Sequence, residues 1–336
     1  MFDPAPDDVF HQLQLRHGRA LALKHLVAAG IDVLPRPGTG QTLARWRVLA
    51  AVAAHDLSLV KLFEGHTDAL AILAELGGAP ATPSNARWGT WCAEPPDARV
   101  VLEATGGGRV HLTGTKAWCS GAASVTHAIV SCWNAAGKPC LAAVTMDQPG
   151  VRVTGNSWHA VGMAASGSVD VRFEHAVATP IGRPGDYVSR PGFWQGGAGI
   201  AACWLGGALG IARTVHRRRG SAPDAHRLAH IGAIDTALSS AAALLRESAA
   251  RIDLRPTDNA QRIALRTRLV VEQAANEVMQ HAGRAVGAGP LCRDPRFAQA
   301  MADLPVFLRQ SHAEHDLAAL GRLAAEEKEM PSSWTL

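Results

Sequence analysis

Between Trp88 and Glu174 the sequence changes its period, and that change limits what the chain can fold into. Arg109-Val110-His111-Leu112, Ala128-Ile129-Val130, Ala142-Ala143-Val144-Thr145-Met146 and Val169-Asp170-Val171-Arg172-Phe173 read as short strands separated by Gly, Pro and Asn turns. That pattern predicts a sandwich or barrel. On either side the period is helical. Residues 7–30 predict one helix with Val9, Leu13, Leu21, Leu23 and Leu26 as its apolar positions, stopped by Pro35-Arg36-Pro37-Gly38-Thr39-Gly40. Thr42 is placed to cap a second helix, and His55-Asp56 opens a third that ends at Gly77-Gly78. Beyond Gly196, residues 198–217 are rich in Gly and Ala, and 225–252 and 260–282 are long periodic segments. Pro290, Pro295 and Pro305 then precede a last predicted helix over 306–328. The expected class is α+β: an N-terminal helical domain over 1–86, a middle β-barrel or sandwich over 87–183, and a C-terminal four-helix bundle over 184–336.

Composition narrows the class further. A chain of 336 residues predicts two or three domains. With 47% hydrophobic and 18% charged residues it predicts a well-buried globular protein. A net charge of +4 gives no reason to expect nucleic acid, though an anionic cofactor or ester would suit such a surface. The six cysteines contain no C-x-x-C pair, so reduced thiols are expected. The start, M-F-D-P-A-P-D-D, lacks the pattern of a signal peptide, and no apolar run reads as a membrane span. Cytoplasmic residence is the default expectation.

Two stretches carry more specific chemistry. Leu112–Ala122, L-T-G-T-K-A-W-C-S-G-A, reads as a strand, a tight Thr-Gly turn and a strand ending in small hydroxyl and glycine residues. Trp158–Phe173, W-H-A-V-G-M-A-A-S-G-S-V-D-V-R-F, reads as a turn followed by an alternating strand. In this order, with helices on both sides, the pair resembles the middle β-domain of the acyl-CoA dehydrogenase superfamily, where the two segments wall in the isoalloxazine of FAD. The resemblance covers essentially the whole chain, with a shortened N-terminal helical domain. It implies a divergent FAD-dependent oxidoreductase that forms a homodimer or homotetramer and takes a small-molecule substrate, an acyl-CoA or other thioester or an aromatic. A redox partner is compatible with it. It implies no metal, nucleic acid or membrane.

Carried over residue by residue, the resemblance sets Trp118 beside the flavin and Ser120 near its N5 or ribityl chain, with Cys119 between them. Ser168, with Ser166, falls at the family's small-hydroxyl pair, where simple turn chemistry is an equal reading. Arg217, in the run His216-Arg217-Arg218-Arg219, corresponds to an arginine that reaches the FAD pyrophosphate of a neighbouring subunit, although a basic run is also a solvated face. Gln280 and Gly283 resemble a Gln-x-x-Gly-Gly that cradles the adenosine half of FAD; Arg284 replaces the second glycine, and Gly283 serves a helix C-cap equally well.

The catalytic base departs from the family. Its members remove the α-proton of a thioester with a glutamate, either in a loop before the last helix or in the helix that here ends at His216. Ala302 falls at the loop position and Thr214, Val215 and His216 at the other. Asp303, beside Ala302, is the candidate base. His66, in E-G-H-x-D-A, resembles a pattern of true dehydrogenases. His312, in R-Q-S-H-A-E-H-D-L, falls near a late histidine of the flavin monooxygenases built on the same fold, which place histidine and serine near the flavin C4a–N5 edge. The first reading is therefore α,β-dehydrogenation of an acyl thioester. A flavin monooxygenase and a non-catalytic scaffold are the alternatives.

Overall fold

The computed structural model describes residues 6–78, 81–105, 108–155, 157–217, 224–326 and 334. Four helices open the chain: α1 (Pro6–His17), α2 (Leu23–Ala28), α3 (Thr42–His55) and α4 (Leu57–Leu76). The single helix expected over 7–30 is interrupted where Gly18, at φ +52°, leads into a one-turn 3-10 helix. Seven strands follow: β1 (Trp88–Trp91), β2 (Val100–Ala104), β3 (Val110–Cys119), β4 (His127–Trp133), β5 (Pro139–Thr145), β6 (Val151–Val153) and β7 (Val169–Ile181). The rest is helical: α5 (Asp186–Ser189), α6 (Pro191–Arg217), α7 (Ala225–Leu254), α8 (Gln261–Val286), α9 (Ala288–Arg293), α10 (Pro295–Leu308) and α11 (Glu314–Ala325). These elements form two compact units, Met1–Pro37 with Ser58–Phe193, and Gly38–Leu57 with Trp194–Leu336.

In the first unit the pairings β4–β2–β3–β7–β5 return from β5 to β4, which closes a five-stranded barrel. Closure leaves no free edge within the ring. β1 adds outside β4 in parallel, and β6 adds to β7. The Thr-Gly turn expected inside the first motif is instead a bulge in the continuous strand β3. Gly114 sits there at φ +128°, and a Cβ would lie 2.2 Å from the Arg99 carbonyl oxygen, so the strand can pass only with glycine. β7 likewise runs eight residues past Phe173, where its sequence alternation ends (181 − 173). His175, at φ +52°, shifts the phase by one, so Ala176 and Ala178 are buried where continued alternation from Phe173 would bury 175 and 177. One face of α4 covers the sheet: Ala69, Ile72 and Leu73 pack with Trp88, Ile129, Leu141, Ala143 and Ile181.

In the second unit α3 and α6 meet backbone to backbone. A Cβ on Gly206 would lie 2.3 Å from the Ala50 carbonyl oxygen, and one on Gly210 would lie 2.8 Å from that of Ala54. The Thr42 amide and hydroxyl donate to Asp253 at 3.1 and 2.6 Å, which ties the start of α3 to the end of α7. The last helix expected over 306–328 is two helices, α10 and α11. Pro295 occupies the first turn of α10, where a missing N–H costs nothing, and Asp294 caps it by accepting from the Arg296 and Phe297 amides. Pro305 lies inside that helix and does not end it. α6 and α7 are each long and apolar enough to cross a bilayer, by length and composition alone, which corrects the expectation that no segment is. Of the apolar window of each helix, 67% is buried in α6 and 22% in α7.

Gly206→Ala should lower stability by about 1–3 kcal/mol, because overpacking at this contact must push two backbones apart. Urea unfolding measures it, and an unchanged midpoint would mean that the α3–α6 contact is not tight.

Candidate functional site

The end of β3 is pinned by a buried charge. Lys116 is fully buried, and its Nζ donates to Glu94 Oε1 at 2.6 Å, Ser131 Oγ at 2.6 Å and the Ser131 carbonyl at 3.1 Å. The ammonium thereby has an acceptor for each of its three protons. Ser131 Oγ and Trp133 Nε1 also donate to Glu94. Burial by itself would raise the Glu94 pKa, but the hydrogen bonds from Lys116, Ser131 and Trp133 and the lysine charge outweigh it and hold the carboxyl below its ordinary range.

Past Lys116 the strand bulges, and Trp118 takes a left-handed backbone at φ +58° with 56% of its surface exposed. Holding a tryptophan there costs about 1–2 kcal/mol. Such a conformation marks a functional position when the surroundings impose it. Cys119 turns inward: its thiol is fully buried, lies 3.2 Å from the Lys116 carbonyl and is pushed up in pKa by burial. Cys119, expected among the flavin-binding residues, therefore offers no exposed thiol there. Ser120 is half-buried, and Trp91 Nε1 donates to its carbonyl at 3.1 Å. Its hydroxyl meets Ser168 Oγ at 2.8 Å, and Ser168 Oγ meets Ser166 Oγ at 2.9 Å. Ser166 Oγ donates to the Met163 carbonyl at 2.7 Å, a group that also accepts from Trp158 Nε1 at 3.0 Å. Gly121 N donates to the Ser166 carbonyl at 2.7 Å, which locks the two motifs together.

Ser120 and Ser168 therefore meet, with Trp118 two residues before Ser120. The left-handed backbone of Met163, at φ +58°, and the hydrogen bonds from the Trp91 and Trp158 indoles that support this cluster go beyond the sequence reading.

His66 has a different place. Its ring is 1% exposed, Nδ1 accepts from the Trp88 amide at 3.1 Å, and Nε2 lies 3.1 Å from Asp32 Oδ2. The amide can only donate, so Nδ1 is the acceptor and Nε2 carries the proton toward Asp32. Both nitrogens are occupied, Nδ1 by the Trp88 amide of β1 and Nε2 by Asp32 in the turn after α2, so neither is left over for the catalytic role expected of this residue.

In the second unit Asp303 is 3% exposed inside α10, and its Oδ1 accepts from Gln299 Nε2 at 2.6 Å. The loop expected around it is helical. His312 lies in the turn between α10 and α11 with its side chain 74% exposed. Its Nδ1 lies 3.5 Å from Asp316 Oδ1, and its amide donates to Asp316 Oδ2 at 3.2 Å. Asp316 is buried, 3.7 Å from Arg268 Nη2. A buried carboxylate thus holds the His312 amide and lies within ion-pair distance of its exposed imidazole. Arg217 is exposed at the end of α6; Arg218 and Arg219 lie outside the described residues. Gln280 is exposed on α8, and Gly283 lies within the same helix. Gly287, at φ +67°, is the C-cap, so the capping role considered for Gly283 is corrected.

No protein-family model and no curated protein matches this chain. Its fold does have solved counterparts. Dibenzothiophene monooxygenase TdsC from Paenibacillus sp. A11-2, solved with FMN and indole, is 19% identical with a TM-score of 0.80, over 98% of this chain and 98% of that one. KijD3, solved with FMN and a dTDP-linked amino-keto sugar, is 20% identical with a TM-score of 0.81, over 99% of this chain and 97% of that one. Methanesulfinate monooxygenase MsuC from Pseudomonas fluorescens is 20% identical with a TM-score of 0.78, over 98% of both chains. The chain has the acyl-CoA dehydrogenase-like fold of these flavin enzymes.

A carboxyl whose folded pKa is depressed adds stability that is present above the ordinary carboxylate range and is lost as pH falls through the folded value. Wild-type protein should therefore lose stability on acidification more steeply than Glu94→Gln. Urea midpoints followed from neutral pH into acid measure this, and parallel curves would remove Glu94 from the balance.

Proposed function

We propose that this protein is a flavin-dependent monooxygenase that uses reduced FMN to oxygenate a small organic molecule. The contrast between its two candidate proton-transfer groups carries the reading. Asp303, the one carboxylate near the family's base position, is buried in a helix and hydrogen-bonded to Gln299. His312 is exposed and backed by Asp316. That arrangement suits a group that moves a proton to or from a bound molecule. The solved monooxygenases with the same fold support the same choice.

The residues at the end of β3 fit a flavin ring. Trp118 offers an exposed indole at a strained position, and Ser120 offers a neutral hydroxyl for the polar edge of a planar heteroaromatic. A flavin bound in its reduced form supplies the electrons that activate dioxygen. FMN is favoured over FAD because Gln280–Arg284 lies in an unbroken helix. Helical amides there are already paired with carbonyls one turn back, so they have none to spare for the adenosine half of FAD. A separate reductase is the partner this chemistry requires.

Each residue's part is simple. Trp118 and Ser120 hold the ring, Asp316 fixes the tilt of the imidazole, and His312 holds or releases a proton at Nε2. Ser120→Val should weaken FMN binding by about 0.5–1.5 kcal/mol, the worth of one neutral hydrogen bond. The melting temperature of flavin-free protein should stay unchanged. His312→Ala should cut oxygen-dependent turnover by roughly 100- to 10,000-fold, with FMN affinity preserved, while Asp303→Asn should retain turnover. Anaerobic bleaching of bound flavin by acyl-CoA esters, abolished in Asp303→Asn, would instead establish the dehydrogenase. A protein that binds neither FMN nor FAD would be the scaffold.

A further inference from the structure

The serine hydroxyls that follow Trp118 have a preferred proton order. Each hydroxyl has one proton and can accept as well. The Met163 carbonyl can only accept, so Ser166 spends its proton there, at 2.7 Å. Ser166 must then accept from Ser168 across 2.9 Å, and Ser168 must accept from Ser120 across 2.8 Å. Three protons make three internal bonds, all running inward, and the exposed side of Ser120 is left with lone pairs.

The opposite order is available at a cost. If Ser120 donates outward, Ser168 must donate to Ser120 and Ser166 to Ser168. Only two internal bonds remain, and the Met163 carbonyl keeps its bonds from Trp158 Nε1 at 3.0 Å and the Ser166 amide at 3.0 Å. The inward order therefore leads by one hydrogen bond, and alignment along the chain of hydroxyls strengthens each link. Ser166 and Ser168 are 1% and 6% exposed, so water does not readily replace a lost partner.

We infer that Ser168 and Ser166 are positioning residues that make Ser120 a hydrogen-bond acceptor toward bound flavin, so that the site prefers the reduced ring to the oxidised one. The inference rests on the flavin reading above. Reduction converts a bare nitrogen of the isoalloxazine into an N–H, that is, an acceptor into a donor. A donating ring adds its bond to the three inward ones, whereas an accepting ring forces the order with two. The difference is one neutral hydrogen bond, a preference of roughly 2- to 12-fold. It suits an enzyme that must capture reduced flavin and release the oxidised form.

The test is the ratio of dissociation constants for oxidised and reduced FMN, measured by anaerobic equilibrium titration with no turnover involved. In Ser168→Ala the Ser120 proton is free and the hydroxyl donates or accepts equally well, so the ratio of oxidised to reduced Kd should fall by roughly 2- to 12-fold. Ser166→Ala breaks the chain one link further in and should act in the same direction. Ser168→Thr, which keeps the hydroxyl, should restore the wild-type ratio. A merely structural role would shift both constants together and leave the ratio at its wild-type value, which would overturn the inference while leaving the flavin reading intact. Wild-type protein that binds neither form of FMN would overturn both.

Discussion

An ammonium group with no access to water sets the local geometry on which the candidate site depends. A charge in such a place is tolerated only when every proton has an acceptor. Lys116 meets that condition by reaching from β3 to Ser131 on β4, two strands away around the barrel, and to Glu94 beyond β1. The end of β3 is thereby fixed in position. Cys119 follows into the core, and Trp118, between these two anchored residues, is forced into the left-handed region. From inside the barrel wall the lysine thus decides where the indole and the Ser120 hydroxyl stand.

The second unit orients its exposed imidazole by a comparable device. Asp316 lies on α11, and Arg268 on α8 both approaches it and donates to the Gln310 carbonyl at 2.7 Å. The guanidinium also rests over the Trp204 ring, 5.6 Å from its centroid. Arg268 is thus held in place on two sides, and it stands beside the carboxylate that lies next to the mostly solvent-exposed imidazole of His312.

The strand period, the long helices and the hydroxyls Ser120 and Ser168 were legible in the sequence because their signals are local. What escaped was non-local or broke a local rule. His66 sits in a suggestive helical pattern, but its role is set by Asp32 and Trp88, 34 and 22 residues away. Asp303 was expected in a loop because Pro305 reads as a helix breaker, whereas a single proline can lie inside an amphipathic helix whose packing compensates. β7 was read short because one left-handed histidine inverts its alternation. The Ser166–Met163 link was missed because nothing in a sequence announces a left-handed methionine.

The backbone contact of α3 with α6 bears on how the chain assembles. α3 belongs to the second unit, but its neighbours in the chain on both sides belong to the first. Its capping partner, Asp253, is 211 residues further on. During synthesis α3 leaves the ribosome long before α6 and α7 exist, and it must wait with its apolar face uncovered. Long-range closure of this kind slows folding and lengthens the time in which sticky surface is exposed. Neither unit is a contiguous stretch of chain, so no single cut yields one of them whole.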